Sequence, residues 1–425
     1  MALTVLVVGS GAREHALAAG LFASADVERV LCAPGNGGTA GFAENVAVDV
    51  EDAGALVLLA EERGVDFAVV GPEAPLVAGV ADALRAAGVA TFGPGREAAR
   101  LEGSKAFSKR FMQRHGIPTA EAAIFEDADA AEAHVRALGR PLVVKADGLA
   151  AGKGVIVAGS VEETLEAIDR VMRKREFGEA GACVVLEERL VGQEVSYHVI
   201  SDGSRQLALA AAQDHKRVGE GDTGPNTGGM GAYSPPPVVS AEVERKILER
   251  VVAPTFAGLA AEGIEYRGAL FIGLMIVDGE PSVIEYNVRF GDPETETLLV
   301  RYRGDLLELL RGAAEGALAE ESIAWEAPAS MCVVLAAAGY PGSYPKGLEI
   351  RGVEAAEKEP GVRVFHAGTR LEGGVLRSAG GRVLAVTAIG DDVDMAAERA
   401  YRAVERIDFE GVQFRRDIGH HARSR

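Results

Sequence analysis

The chain has 425 residues, 48% hydrophobic and 25% charged, a globular composition too long for one ordinary core, so two to four domains are expected. Acidic residues outnumber basic ones 63 to 44, which argues against a nucleic-acid partner and leaves room for a local basic site for a phosphorylated small molecule. Cys32, Cys183 and Cys332 lie far apart with no C-x-x-C pair, which favours a reducing, cytoplasmic setting and gives no zinc signature.

The N-terminal "LTVLVVG" reads as a buried strand, with no basic region before it to suggest a signal peptide, and no apolar run approaches a membrane span. A helix from Ala12 to Phe22, the strand "VERVLCA" and the helix "GALVLLAEERG", closed by Gly64, follow. "DFAVVG", a helix from Leu76 to Ala87 and "VATFG" complete a run of βαβ units, which predicts a parallel sheet with ligands at the carboxyl ends of its strands. The loops there are "GSGAREH", "APGNGGT", "GPEAPLV" and "GPGREAA". Glu14 takes the third glycine position of a dinucleotide fingerprint and Ala33-Pro34-Gly35 replaces its ribose-binding acid, which argues against a nicotinamide enzyme. The glycine-rich turns before helices still suit a phosphate, or are simply tight turns.

Ser104 is placed to cap the helix "KAFSKRFMQRHG". The stretch "VVKADGLAAGKGVIV" (143–157) then raises the question of a P-loop. Only three residues separate Gly148 from Gly152-Lys153, Gly154 stands where the hydroxyl should be, and β-branched runs flank the loop on both sides. It therefore reads as the tip of a β-hairpin, either a phosphate-binding tip of backbone N–H groups and lysines or a solvated surface turn. A helix begins at the capping box Ser160-x-x-Glu163, and the strand "CVVLEERL" ends in acids that fit a nucleotide hinge or merely a solvated strand end.

After a strand pair at 194–212 comes "QDHKRVGEGDTGPNTGGMGAYSPPP", expected to be a long functional loop. A helix at 241–261 leads to "GALFIGLMIV" and "PSVIEYNVR", joined at Asp278-Gly279. Alternation along a strand puts Glu285, Asn287 and Arg289 on one face. The first two are hard oxygen donors suited to Mg2+ and the third a fork for a carboxylate or phosphate; a polar strand face with a salt bridge is the plainer alternative. The last hundred residues read as an α+β module with strands at 330–338, 363–370 and 382–389 and a helix near 393–407.

The order of helix lysine, strand lysine, glycine-rich hairpin, acidic hinge and E-x-N strand resembles the ATP-grasp fold. "VGSGAREHAL", "APGNGGT", "VGPEAPLV", "LEGSKAF", "KADGLAAGKGV", "QDHKRV", "DTGPNTGGMGAYSP" and "FGDPETE" resemble the glycinamide ribonucleotide synthetase family, also called phosphoribosylamine–glycine ligases, and "HAGT" with "GGRVLAVTA" extends the likeness. The resemblance implies an α/β architecture: an N-terminal doubly wound domain (1–103), a central ATP-grasp domain (104–119 and 193–328), a lid (120–192) and a C-terminal α+β domain (329–425). It implies that ATP, glycine and 5-phosphoribosylamine give glycinamide ribonucleotide, ADP and phosphate, with Mg2+ or Mn2+ as metal, and no membrane or nucleic-acid partner. A monomer, with transient contact with the enzyme that makes phosphoribosylamine, fits the same picture.

Carried over residue by residue, the family assigns ATP to Lys105, Lys145, Gly152, Lys153, Gly154, Glu187, Leu190 and Glu194, and metal to Glu285 and Asn287. Arg289, Lys145 and Lys153 would assist the chemistry. Gly9, Asn36, Gly37, Gly38 and Thr39 would take the sugar phosphate, with Glu73, Asp214, Lys216, Gly229 and Arg289 completing the substrate site. One departure stands out: "LFIGLMIV", the strand before E-x-N, offers no additional metal-binding acid.

Overall fold

The computed structural model describes residues 2–150, 154–319 and 323–423. Five parallel strands form the N-terminal sheet, in the order Glu44–Asn45, Val27–Pro34, Leu3–Gly9, Phe67–Val70, Ala90–Phe92. The order reverses beside Leu3–Gly9, which is where a crevice opens in doubly wound sheets. The helix expected from Leu76 to Ala87 is instead two, Glu73–Ala78 and Val80–Ala86, because Gly79 adopts a left-handed conformation (φ 90°) that caps the first.

Ser104 caps the helix Lys105–Arg114 as anticipated, its hydroxyl accepting from Phe107 N at 3.0 Å. The segment after this helix carries an antiparallel sheet, ordered Ala122–Phe125, Val184–Glu187, Val143–Ala146, Val155–Val157, over its own core of Val135, Val144, Ile168, Val171 and Leu186. Val143–Ala146 and Val155–Val157 pair directly, so the glycine-rich stretch is a hairpin. At Ser160 half of the capping box forms: Ser160 Oγ accepts from Glu163 N, but the Glu163 carboxylate accepts from Gly159 N, one residue before the cap.

The central sheet is antiparallel, with Gln206–Ala208, Gln193–Asp202, Arg267–Val277 and Glu280–Asn287 in that order. Asp278 (φ 49°) and Gly279 (φ 77°) make the tight turn between its last two strands. One hydrophobic core runs from Leu6, Val70 and Leu101 of the N-terminal layer to Tyr197, Leu270 and Ile272 of the central sheet, fixing the two against each other.

The expected long loop after Ala212 is ordered. Gln213–Asp214 and Gly231–Ser234 join the five-stranded sheet completed by Ala329–Ala336, Arg382–Gly390 and Val362–His366. Between them Arg217–Gly219 and Thr223–Asn226 form a small hairpin. A composition of glycine, proline and polar residues hides these strands, one of which, Gly231–Ser234, finds its outer partner about a hundred residues further along the chain. The helix Val393–Val404 packs over this sheet, burying Ala396, Ala397, Ala400 and Ala403.

Candidate active site

Glu285 sits near the end of the strand Glu280–Asn287, where the pairing with Arg267–Val277 slips by one residue. Its neighbours across the sheet are Gly273, paired to Glu285, and Phe271, paired to Asn287. A Cβ on Gly273 would stand 3.0 Å from Glu285 Cγ, so glycine makes room for the carboxylate. Neither facing residue offers an oxygen side chain, in keeping with the departure noted in the sequence. Asn287 Nδ2 donates to Glu285 Oε1 at 3.5 Å and Asn287 Oδ1 accepts from Arg289 at 3.1 Å. Lys216 first, and then Lys145 and Lys105, outweigh burial and pull the Glu285 carboxyl down to about 2.

The three lysines come from three directions. Lys145, on the strand Val143–Ala146, donates to Ile284 O at 3.0 Å and pairs with Glu187 at 2.9 Å. Glu187 is also held by Lys109 at 3.2 Å, and all three side chains are buried. Its carboxylate is thus the counter-ion of two lysines. Lys105 donates to Gly148 O at 2.8 Å, and burial lowers its affinity for the proton against the pull of Glu285. Asp147 docks this lid loop onto the N-terminus of Lys105–Arg114, accepting from Ala106 N at 3.1 Å and Ser104 Oγ at 3.2 Å.

Lys216 reaches Glu194 at 3.4 Å and Glu285 at 3.5 Å. Burial would lower its pKa, but Glu285, Glu194, Asp214 and Glu294 together raise it and keep it cationic. Asp214 is the opposite case. Burial first, and then the neighbouring Glu294, push its carboxyl well above the usual range, and its Oδ1 has no hydrogen-bond partner. Gly229 (φ 116°) packs on it so closely that a Cβ would lie 2.8 Å from Oδ1. Glu294 accepts from Ser196 Oγ at 2.7 Å, while both carboxylate oxygens of the fully buried Glu296 lack partners.

Arg289 spans domains. Its guanidinium binds Glu73 at 3.1 Å and Glu102 at 2.9 Å, both from the N-terminal layer. Glu102 also accepts from Val288 N at 2.8 Å, and burial raises its carboxyl to about 7 despite Arg289.

The N-terminal loops are occupied by the protein's own groups. Glu14 Oε2 accepts from Gly11 N at 2.6 Å, and a Cβ on Gly9 or Gly71 would fall 2.5 Å or 2.2 Å from the Glu14 side chain. A carboxylate, braced by Arg13, therefore fills the helix N-terminus where the turn suggested a phosphate. The Asn36 amide donates to Ser10 O and His366 O, and accepts from Gly38 N and Thr39 N. Gly37 N donates to Thr369 O at 3.1 Å, and the Thr39 hydroxyl donates to Asn45 Oδ1 at 2.7 Å.

The fold thus gathers Lys105, Lys145, Glu187, Glu194, Asp214, Lys216, Gly229, Glu285 and Asn287 at one junction, with Glu73 and Arg289 beside it. Gly9, Asn36, Gly37, Gly38 and Thr39 make a separate bracket that ties the first layer to the C-terminal segment. Gly154 accepts from Ala146 N and continues the hairpin, and Leu190 is half-buried at the hinge. Gly152 and Lys153 lie outside the described residues. Sequence reading passed over Lys109, Glu102, Glu294 and Glu296. Lys109 stands one turn past Lys105 on the same helix face, a spacing that could have revealed it. The acids of "LEGSKAF" and "DPETE" carry no local mark of burial.

Three consecutive segments match models of one family: phosphoribosylglycinamide synthetase N domain (residues 3–102), ATP-grasp (A) domain (103–295) and C domain (330–421). The phosphoribosylamine–glycine ligase of Vibrio vulnificus is 51% identical, covering 100% of this chain and 99% of its own, and that of Yersinia pestis is 50% identical with both chains fully covered. The crystal structure of the same ligase from Thermotoga maritima, 34% identical, superposes with a TM-score of 0.86 over 98% of this chain and 100% of that one. A biotin carboxylase domain from Hydrogenobacter thermophilus, 18% identical with a TM-score of 0.75, covering 97% of this chain and 92% of its own, shares the fold. The chain belongs to the phosphoribosylglycinamide synthetase family of ATP-grasp ligases.

Proposed function

We propose that the chain joins glycine to 5-phosphoribosylamine at the expense of ATP, giving glycinamide ribonucleotide, ADP and phosphate, as a step of purine synthesis. The observation that carries this reading is the convergence of Lys105, Lys145 and Lys216 on the ionised Glu285 where lid, helix and central sheet meet. Glycine's carboxylate is a poor electrophile. Attack of one of its oxygens on the γ-phosphorus of ATP releases ADP and forms glycyl phosphate; the sugar amine then attacks the acyl carbon, phosphate leaves, and the amine loses a proton.

Such a transfer depends on positioning and on compensation of charge. Lys105 and Lys145 suit the triphosphate, since both act on the Glu285 carboxylate and Lys105 is held partly out of water. Gly152, Lys153 and Gly154 would close over it, and the backbone from Glu187 to Leu190, with Glu194, would receive adenine and ribose. Arg289, aligned by Glu73 and Glu102, suits the transferring group or the glycine carboxylate. The unpartnered oxygen of Asp214 suits a hydroxyl or amine of phosphoribosylamine, with Lys216 and the backbone of Gly229 beside it. The sugar phosphate could use Gly9 and Asn36 through Thr39 only by exchanging the internal bonds those groups now make.

The family uses ATP with divalent metal ions, and the donor set fits one: an ionised carboxylate, Glu285, next to the amide of Asn287. These residues would hold Mg2+ or Mn2+, which supplies charge compensation for the phosphates when bound. A monomer in the cytoplasm, drawing the amine from a transiently bound supplier, is the setting proposed. Free Cys32, Cys183 and Cys332 accord with it, and no helix among the described residues is long and apolar enough to cross a membrane.

Phosphate release measured with every combination of ATP, glycine and phosphoribosylamine tests the reading. Turnover should require all three, and equal ADP formation with bicarbonate in place of glycine would overturn it.

A further inference from the structure

A second polar cluster stands where the C-terminal tail crosses the hairpin Arg217–Gly219/Thr223–Asn226, and the ligase reaction uses none of it. Asp222 Oδ2 faces His420 Nε2 at 3.4 Å and His421 Nε2 at 3.7 Å, and the two imidazole rings lie 3.9 Å apart. We propose that Asp222, His420 and His421 form a binding site for a borderline transition-metal ion of the Zn2+, Co2+ or Ni2+ class, pinning the C-terminal tail to this hairpin.

Two edges of the site fit: bonds of about 2.1 Å at a tetrahedral centre set neighbouring ligand atoms about 3.4 Å apart, close to the distances from Asp222 Oδ2 to His420 and to His421. The orientation of each ligand is fixed from behind. His420 Nδ1 lies 3.1 Å from Asp417 O, a carbonyl that can only accept, so the ring donates there and its bare Nε2 points at the carboxylate. Asp222 Oδ1 is taken by Arg415 at 2.7 Å, which leaves Oδ2 for the ion.

His215 lies in the same cluster, its ligand atom within 4.8 Å of those of Asp222 and His420, but it plays a different part. Its Nε2 accepts from Gly419 N at 2.8 Å, so the neutral ring carries its proton on Nδ1, facing Asp222 Oδ1 at 3.7 Å. It orients the carboxylate and is not a ligand. The three proposed ligands are each about a third or more exposed, so an ion can enter from solvent and water can complete its shell. Two imidazoles and one carboxylate select such ions over Mg2+, which favours an all-oxygen shell. His215 sits between Asp214 and Lys216, so the clamp braces the back of the segment that carries both.

The test is a Co2+ titration of the metal-free full-length protein in the presence of excess Mg2+. One equivalent should develop the visible band of a low-symmetry, nitrogen-ligated Co2+, and Zn2+ should displace it. His421→Ala, at an exposed position, should weaken binding by about tenfold or more, as loss of one ligand does, and His420→Ala/His421→Ala should abolish the band. Glu285→Gln should leave it intact. A band that is missing in the parent protein, or that survives in the double variant, would overturn the proposal.

Discussion

Two charge clusters lie side by side in this molecule, one buried and one partly open to solvent, and they are built on different plans. Around Glu187, Lys109 and Lys145 share one carboxylate, and the oxygens of Thr119, Ala120 and Ile284 accept from the two ammonium groups. Around Asp214, Lys216 answers Glu194, Glu285 and Glu294 and Arg382 adds a further positive charge, yet an oxygen of Asp214 stays without a partner. A buried cluster whose polar groups all have partners is costly to break. A buried carboxylate oxygen without one costs stability until something else supplies a donor, which marks it as the place where a ligand completes the structure.

The largest effect that would sharpen this contrast belongs to Glu285→Gln. Activity should fall on the order of 10²–10³-fold with little change in melting temperature, because the group serves charge placement more than packing. An unchanged divalent-ion dependence of the rate would reduce Glu285 to a polar strand face. Lys145→Ala attacks the Glu187 cluster and should cost roughly 3 kcal/mol of stability as well as nucleotide binding, since Glu187 loses one of two buried partners. Chemical denaturation that leaves the midpoint unmoved would show the cluster to be less tightly coupled than its geometry implies.

Glu102 gives a pH signature. Its carboxyl is raised from 4.5 to about 7, so the folded state holds this proton more tightly than the unfolded chain. That contribution is full below about pH 4.5 and disappears as pH rises through 7, a change of up to about 3 kcal/mol. Glu102→Gln should flatten the stability profile across this window, and parallel profiles for the two proteins would refute the assignment. Asp214→Asn should do the reverse of most active-site changes. Stability at pH 7 should rise by about 1 kcal/mol while the KM for phosphoribosylamine climbs, the trade expected of a site kept short of partners. Smallest is the lid effect: cleavage near Lys153 should slow several-fold with Mg-ATP, as ligand depletes the open form.

Much of this was legible in the residues. Alternation of strand and helix gave the parallel sheet, the flanking β-branched runs of 143–157 gave a hairpin, and period two put Glu285 and Asn287 together. What stayed hidden depends on partners distant in sequence. Glycine loops that looked like phosphate cradles close around Glu14, because a turn's shape does not say which anion fills it. The strands Gln213–Asp214 and Gly231–Ser234 look like loop in sequence because the first pairs only with the second, and the second finds its other neighbour about a hundred residues further on. Glu102 and Glu296 were invisible because burial is a property of the fold and not of the local pattern.

That delayed ladder has a consequence for how the chain is made. Gly231–Ser234 leaves the ribosome well before Ala329–Ala336, its neighbour in the sheet. At about 5–20 residues per second it waits roughly 5–20 seconds with an edge unpaired, while the preceding layers are free to fold. During that interval the nascent chain presents an open edge to any other strand. The glycines and prolines that disguised this segment in the sequence are poor strand formers, and they keep that edge from recruiting the wrong partner before its own arrives.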